Sequence, residues 1–231
     1  MDFKEDLRKH FNILLTKEQE EMFSLYFNKL IEYNKHTNLT RITEENDVYY
    51  KHFYDSLTIK TFIEGNGVTL CDMGSGAGFP SIPLKIIMPN LKVTIIDSSN
   101  KRIKFLKELV TELKLDDVNL VHSRIEDFGI NNQQKFDYVT ARALGNLTLI
   151  SEMAIPMLKV NGRFIAMKGS KSNEELNNAI SVFRILKSNI VNEMNFELPY
   201  DYGERTIYVI KKDVHVKGYP RKYQEMVKKP L

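Results

Sequence analysis

The chain has 231 residues, 42% apolar and 27% charged, with 33 Lys/Arg against 30 Asp/Glu and a net charge of +3. This is the balance of an ordinary globular protein, and no apolar run approaches the length of a membrane span. The opening "MDFKEDLRKHFNILL" carries charges where a signal peptide would be apolar. The single cysteine, Cys71, excludes an internal disulfide and a cysteine-based metal cluster. A cytoplasmic protein that binds neither membrane nor metal is the expectation. The charge is unevenly spread: residues 211–231 hold seven Lys/Arg against Asp213 and Glu225, so this end is near +5 and the rest near −2.

In chain order, Phe3, Leu7, Phe11 and Leu14 recur at helical spacing. Thr16 and Gln19 read as a capping box opening a second helix with Met22, Phe23, Tyr26, Phe27, Leu30 and Tyr33 on its apolar side. "HTNLTRIT" interrupts the pattern, and Thr43 is positioned to cap a third helical stretch running through Leu57. After "EGNG" (64–67) the period changes to short β-branched runs: "VTLCDM", "KVTIID", "NLVH", "FDYVTAR" and "GRFIAMKG". Helical stretches at about 81–88, 100–113, 146–158 and 173–187 separate or follow them, and "VNEMNFEL" and "RTIYVIKK" close the series as a hairpin. Strands alternating with helices predict a doubly wound, mostly parallel seven-stranded α/β sheet. The expected organisation is an N-terminal helical cap (1–64), a ligand-binding α/β domain (65–212) and a basic tail (213–231).

The stretch "DMGSGAGFP" (72–80) follows the first strand, where ligands sit in such sheets. Its spacing, Gly-x-Gly-x-Gly, is neither a phosphate-binding Walker loop, which ends Gly-Lys-Ser/Thr, nor the dinucleotide fingerprint Gly-x-Gly-x-x-Gly. No basic residue lies within it. A nucleoside without phosphates is the expected ligand, with Gly74 and Gly76 letting backbone approach it. Asp97 ends the second strand, placed to accept from both ribose hydroxyls, although it could also cap the next helix as Ser98, Ser99 or Asn100 could. Glu126 in "SRIED" can accept from an adenine amine, with Ile125 against the ring.

Taken together, "LCDMGSGAGFPSIPLKI", "IIDSSNKRIKFL", "SRIED", "TARAL" and "AMKG" resemble the bacterial small-subunit rRNA guanine-N7 methyltransferase family, also called the glucose-inhibited division protein B family. "YNKHTNLT", "KHFYDSL", "GYPRK" and the final "KPL" extend the resemblance over most of the chain. It implies a Rossmann-like class I methyltransferase that binds S-adenosylmethionine through Gly74, Phe79, Asp97, Ser98, Ser99, Ile125, Glu126 and Arg142. The implied acceptor is a guanine in the 530 loop of 16S rRNA, naked or within an assembling small subunit. Ser81 stands where the family usually has glycine, and "YQEMVK" replaces a short Gly/Pro-containing link.

The residues agree with that chemistry. Cys71 lies within a strand and cannot serve as the nucleophile that pyrimidine C5 methylation needs. Guanine N7 already presents a lone pair and loses no proton, so no general acid or base is expected. Arg142, after the fourth strand, is assigned to positioning; its competing reading is a structural ion pair with Glu126 or Asp72. His52 and Asp55 share a helical face, as a packed pair or in closing the cofactor pocket. Lys168, Arg221 and Lys222 are the expected RNA contacts, with Lys217, Lys228 and Lys229 beside them and Tyr219 and Tyr223 available to stack. A small-molecule methyltransferase and a non-catalytic RNA-binding module are the alternatives.

Overall fold

The computed structural model describes residues 1–170 and 172–231. Helix α1 (Phe3–Phe11) is capped by the Asp2 carboxylate, which accepts from Glu5 N, and it ends at Asn12 in the left-handed region. That turn places Ile13 in the core and leaves Leu14 71% exposed, so Leu14 does not continue the apolar face as expected. Helix α2 (Lys17–Thr37) opens with the Thr16/Gln19 capping box and buries Phe23, Tyr26 and Leu30. The third stretch differs from expectation. It starts after Glu44, not at a Thr43 cap, and is a short α3 (Glu45–Val48), a π-helical turn (Tyr49–Tyr54), α4 (Asp55–Leu57) and a 3-10 turn (Thr58–Phe62).

The strands are β1 (Thr69–Met73), β2 (Lys92–Asp97), β3 (Val118–His122), β4 (Phe136–Arg142), β5 (Leu158–Lys168), β6 (Ser188–Glu197) and β7 (Glu204–Lys212). They form one sheet in the order β3-β2-β1-β4-β5-β7-β6, with β7 antiparallel to both neighbours. The final pair is a hairpin, and its second strand lies inside, against β5. The connecting helices are α5 (Ser81–Ile87), α6 (Asn100–Glu112), α8 (Leu147–Met157) and α9 (Ser172–Ile185). Two short helices went unforeseen: α7 (Ile125–Asn131) after β3, and α10 (Tyr223–Lys228) in the tail.

Strand alternation sends side chains to two cores. Leu70, Ile95, Tyr138, Ile165, Ile207 and Val209 join the N-terminal helices, α5 and α6 in one continuous apolar cluster, so residues 1–64 share in covering this sheet face. Cys71, Met73, Ile96, Val139, Phe164, Tyr208 and Ile210 face the opposite way, against α8 and α9. The tail belongs to this second core. Met226 is buried there, Tyr219 and Leu231 pack against it, and Arg221 forms a bidentate pair with the nearly inaccessible Glu152 (2.7 Å to each oxygen). Crossing order reverses between β1 and β4, and the carboxyl ends of these strands carry the candidate site.

Candidate functional site

The three loop glycines all have positive φ: Gly74 (+68°), Gly76 (+63°) and Gly78 (+103°). Their surroundings separate their roles. A Cβ on Gly78 would lie 2.7 Å from the Tyr26 hydroxyl and 2.8 Å from Ile82, so this glycine is needed for packing. A Cβ on Gly76 would meet nothing within 4 Å and would project into open space. That space is a cavity of about 320 Å³ lined by Gly74, Ser75, Gly76, Phe79, Asp97, Ser98, Ile125, Glu126 and Arg142, among others. The structure thus brings the expected residues together around one hollow, with one exception. Ser99 does not line it among the described residues; its backbone N–H donates to Asp97 Oδ1 at 2.8 Å. Nor does Ser99 cap α6 through its side chain.

Asp97 is only 2% exposed, and its carboxylate forms part of the cavity wall. Oδ2 accepts from Gly76 N (3.2 Å) and from Arg102 (3.3 Å), which ties the glycine loop to the end of β2. Glu126, also buried, lies in the first turn of α7, with Arg124 3.8 Å away. The sequence reading missed Arg102, Arg124, Leu39, Thr40 and Leu144 in the lining. No local motif marks the two arginines; only their placement beside Asp97 and Glu126 suggests them.

Phe79 is held by two rings. Both Tyr26 of α2 (5.4 Å between centroids, 12° between planes) and His52 of the π-helical turn (4.4 Å, 16°) stack with its ring. The Tyr26 hydroxyl donates to Ala77 O, fastening the same loop. The N-terminal helices therefore shape the cavity as well as covering the sheet.

Arg142 pairs with neither Glu126 nor Asp72. Its Nη1 donates to Asp55 Oδ2 (2.9 Å) and Lys51 O (3.0 Å), and its Nη2 donates to His52 Nδ1 (3.1 Å). His52 is thereby the Nε2–H tautomer, donating to Thr40 Oγ1 at 3.1 Å. Burial, then the Arg142 charge, pushes the imidazole down to about 3, so the ring is neutral at physiological pH. The Asp55 carboxylate is buried between two guanidiniums, its other oxygen accepting from Arg205 Nε at 3.1 Å. A π-helical turn that carries His52 and runs directly into Asp55 of α4 fits the usual placing of such irregularities at functional sites. Ala143, just beyond, has φ +53°, a conformation that costs a non-glycine residue energy.

Behind the loop, Asp72 is fully buried and accepts from Ser81 N (3.2 Å) through Oδ2. Its Oδ1 has no partner among the described residues. Burial pushes this carboxyl up to about 7, against the lowering by its Ser81 bonds and the Arg142 charge.

A second cavity, of about 560 Å³, adjoins the first and shares His52, Arg142 and Ala143 with it. Lys51, Lys168, Arg205 and Arg142 line it against Asp55 and Glu175, so its wall is net basic. Lys168 is not a free phosphate contact: its ammonium pairs with Glu175 Oε2 (2.6 Å) and donates to Gly145 O (2.8 Å). The expectation for Arg221 also changes, because Glu152 occupies its guanidinium. Lys217, Lys222, Lys228 and Lys229 are exposed. Among the described residues no helix is long and apolar enough to cross a membrane.

Comparison with known proteins places this architecture. A family model described as rRNA small subunit methyltransferase G matches residues 19–198. Curated relatives named ribosomal RNA small subunit methyltransferase G are 52% identical in Acholeplasma laidlawii (95% of each chain), 49% in Lactobacillus helveticus (98% of this chain, 96% of the relative) and 48% in Staphylococcus aureus (98% and 96%). Among solved structures, M. jannaschii TYW2 in complex with AdoMet superposes with a TM-score of 0.58 at 16% identity, covering 76% of this chain and 80% of its own. A SAM-dependent methyltransferase from Aquifex aeolicus gives 0.54 at 18% identity over 75% and 96%. These two share the fold; the sequence matches establish more: the chain belongs to the rRNA small subunit methyltransferase G family.

Proposed function

We propose that the protein transfers the methyl group of S-adenosylmethionine to N7 of a guanine in 16S rRNA, the 530-loop guanine that the family resemblance implies. The relatives' names supply the substrate class, and this reading extends it to the present chain. The observation that carries it is the pair of adjoining cavities, one lined by the glycine loop with Asp97 and Glu126 and one net basic, meeting at Arg142, His52 and Ala143.

The first cavity suits the cofactor on its donor set. Asp97 offers a carboxylate to ribose hydroxyls, Glu126 one to an adenine amine beside Ile125, and Gly76 leaves room for close backbone approach. S-adenosylmethionine supplies a methyl group on a sulfonium, which a nucleophile takes without prior proton loss. The chain's task is then alignment and exclusion of water, which is worth on the order of 7–11 kcal/mol when reacting atoms are well held. Arg142, fixed by Asp55, Lys51 O and His52, lines both cavities and would hold one side of the junction where donor and acceptor meet. Asp55 sets one negative charge between Arg142 and Arg205, offsetting the repulsion they would exert on a cationic donor. Of the described lining side chains, His52 is the one whose ordinary pKa lies near neutrality, and burial removes it from proton transfer. Guanine N7 requires no such transfer.

Mapping modified nucleosides by mass spectrometry in 16S rRNA, with and without the protein, tests this reading. A 7-methylguanosine should disappear without the protein and return when it is restored. An unchanged 7-methylguanosine content would refute the reading.

A further inference from the structure

N7 chemistry alone does not select guanine, because adenine presents the same lone pair at N7. Discrimination has to come from the six-membered ring, where the two purines have opposite polarity: guanine offers an acceptor at O6 beside a donor at N1–H, adenine a donor at N6 beside an acceptor at N1. The wall that reads this edge needs a donor next to an acceptor.

The second cavity has two carboxylates. Both oxygens of Asp55 are taken, by Arg142 and Arg205. Glu175, in the first turn of α9, is held differently. Lys168 Nζ (2.6 Å) and Leu147 N (3.2 Å) both bond its Oε2, and among the described residues Oε1 is the oxygen left to a ligand. Lys168 Nζ spends two of its three hydrogens on Glu175 Oε2 and Gly145 O. Among the described residues, one N–H and one carboxylate oxygen are therefore left side by side on the cavity wall.

Their position suits a purine. Lys168 ends β5 and directly follows Met167, the register partner of Arg142 on β4. It lines the same cavity as Arg142, His52 and Ala143, the residues shared with the cofactor cavity. Three elements, β5, α8 and α9, hold the pair in place. The carboxylate beside Lys168 repels a phosphate, so the ion pair is better suited to a neutral donor–acceptor edge than to the backbone.

Resting on the function proposed above, we infer that the Lys168–Glu175 pair selects the acceptor base. Glu175 Oε1 accepts from guanine N1–H, and from N2–H where it reaches, while Lys168 donates to O6. Adenine in the same pose would set its amine against the ammonium and its N1 lone pair against the carboxylate, leaving both pairs unsatisfied.

The test uses the full-length protein, saturating S-adenosylmethionine and a 16S rRNA fragment that the wild-type protein methylates. The target guanine is left intact or replaced by 2-aminopurine, which keeps N7 but lacks O6 and N1–H. Wild type should lose roughly 10- to 100-fold in kcat/KM on the 2-aminopurine fragment. Glu175→Gln should lose a similar factor on guanine and little more on 2-aminopurine, so the ratio between the substrates collapses towards one while cofactor affinity is kept. A merely structural role would lower both rates equally and preserve the ratio; that result overturns the inference. So does a wild-type enzyme that accepts 2-aminopurine as readily as guanine, a comparison that needs no variant to fold. If wild type methylates no rRNA guanine at N7, the proposed function itself falls, which is a distinct outcome.

Discussion

Asp97 and the loop glycines show how differently neighbouring residues can serve one site. Asp97→Ala should weaken S-adenosylmethionine binding by roughly 1.5–3 kcal/mol, the scale of charge-assisted hydrogen bonds, as read by calorimetry on a folded variant. Unchanged affinity would remove Asp97 from the site. Gly76→Ala and Gly78→Ala both place a side chain at positive φ, a strain of about 1–2 kcal/mol. Only at Gly76 does the new methyl enter the cavity, so this variant should lose cofactor affinity while melting near the Gly78→Ala variant or above it. Gly78→Ala crowds Tyr26, Ile82 and Leu106 and should show its damage in thermal stability. Asp97 and Glu126 were legible in the sequence because strand ends and short spacings announce them. The partner of Arg142 was not: Asp55 lies 87 residues away, and the alternatives weighed, Glu126 and Asp72, were those nearer in the α/β domain.

At the scale of elements, regular periodicity was readable and its interruptions were not. The stretch through Leu57 was expected as one helix opening at a Thr43 cap. A π-helical turn adds a residue without disturbing the helical spacing much, yet it redirects His52 and Asp55 towards Arg142. The tail misled through its composition. Its five basic residues suggest a solvated or RNA-bound end, whereas Arg221 and Met226 strap it across α8. Removing Arg221 leaves a buried carboxylate unpaired, so Arg221→Met should cost about 3–5 kcal/mol in denaturant unfolding. The double variant Arg221→Met/Glu152→Leu should recover most of that. If the single variant is as stable as wild type, the tail is not fastened as described. Replacing Lys217, Lys222, Lys228 and Lys229 by Ser leaves the strap intact and isolates the charge. If they meet RNA, the slope of log affinity against log salt should flatten by about 0.7 for each phosphate that is no longer neutralised. An unchanged slope with unchanged affinity would mark these lysines as solvated only.

For the molecule as a whole, pH separates the requirements of folding from those of chemistry. Asp72 is held near the centre of the sheet's ligand edge with a folded pKa of about 7, above its ordinary value near 4. A raised pKa means that the folded state binds the extra proton. The stability tied to that proton is complete below about pH 4 and is lost as pH rises towards and through 7, by at most about 1.4 kcal/mol per unit. Asp72→Asn keeps an acceptor for Ser81 N but cannot ionise, so its stability relative to wild type should increase between about pH 4 and 7 and level off above that. Parallel stability curves would show that Asp72 does not titrate there. The rate of methyl transfer should behave otherwise. His52 is neutral down to about pH 3, both its ring nitrogens are engaged, and N7 has no proton to give up. With cofactor and RNA saturating, the single-turnover rate should be nearly flat from about pH 6.5 to 8.5, where an ordinary histidine base would titrate. Arg142→Lys keeps the charge but cannot bridge Asp55, Lys51 O and His52 at once, so it should lower this rate without creating a pH dependence. A tenfold rise per pH unit that vanishes in His52→Ala would instead establish obligatory base catalysis and overturn alignment as the source of the rate.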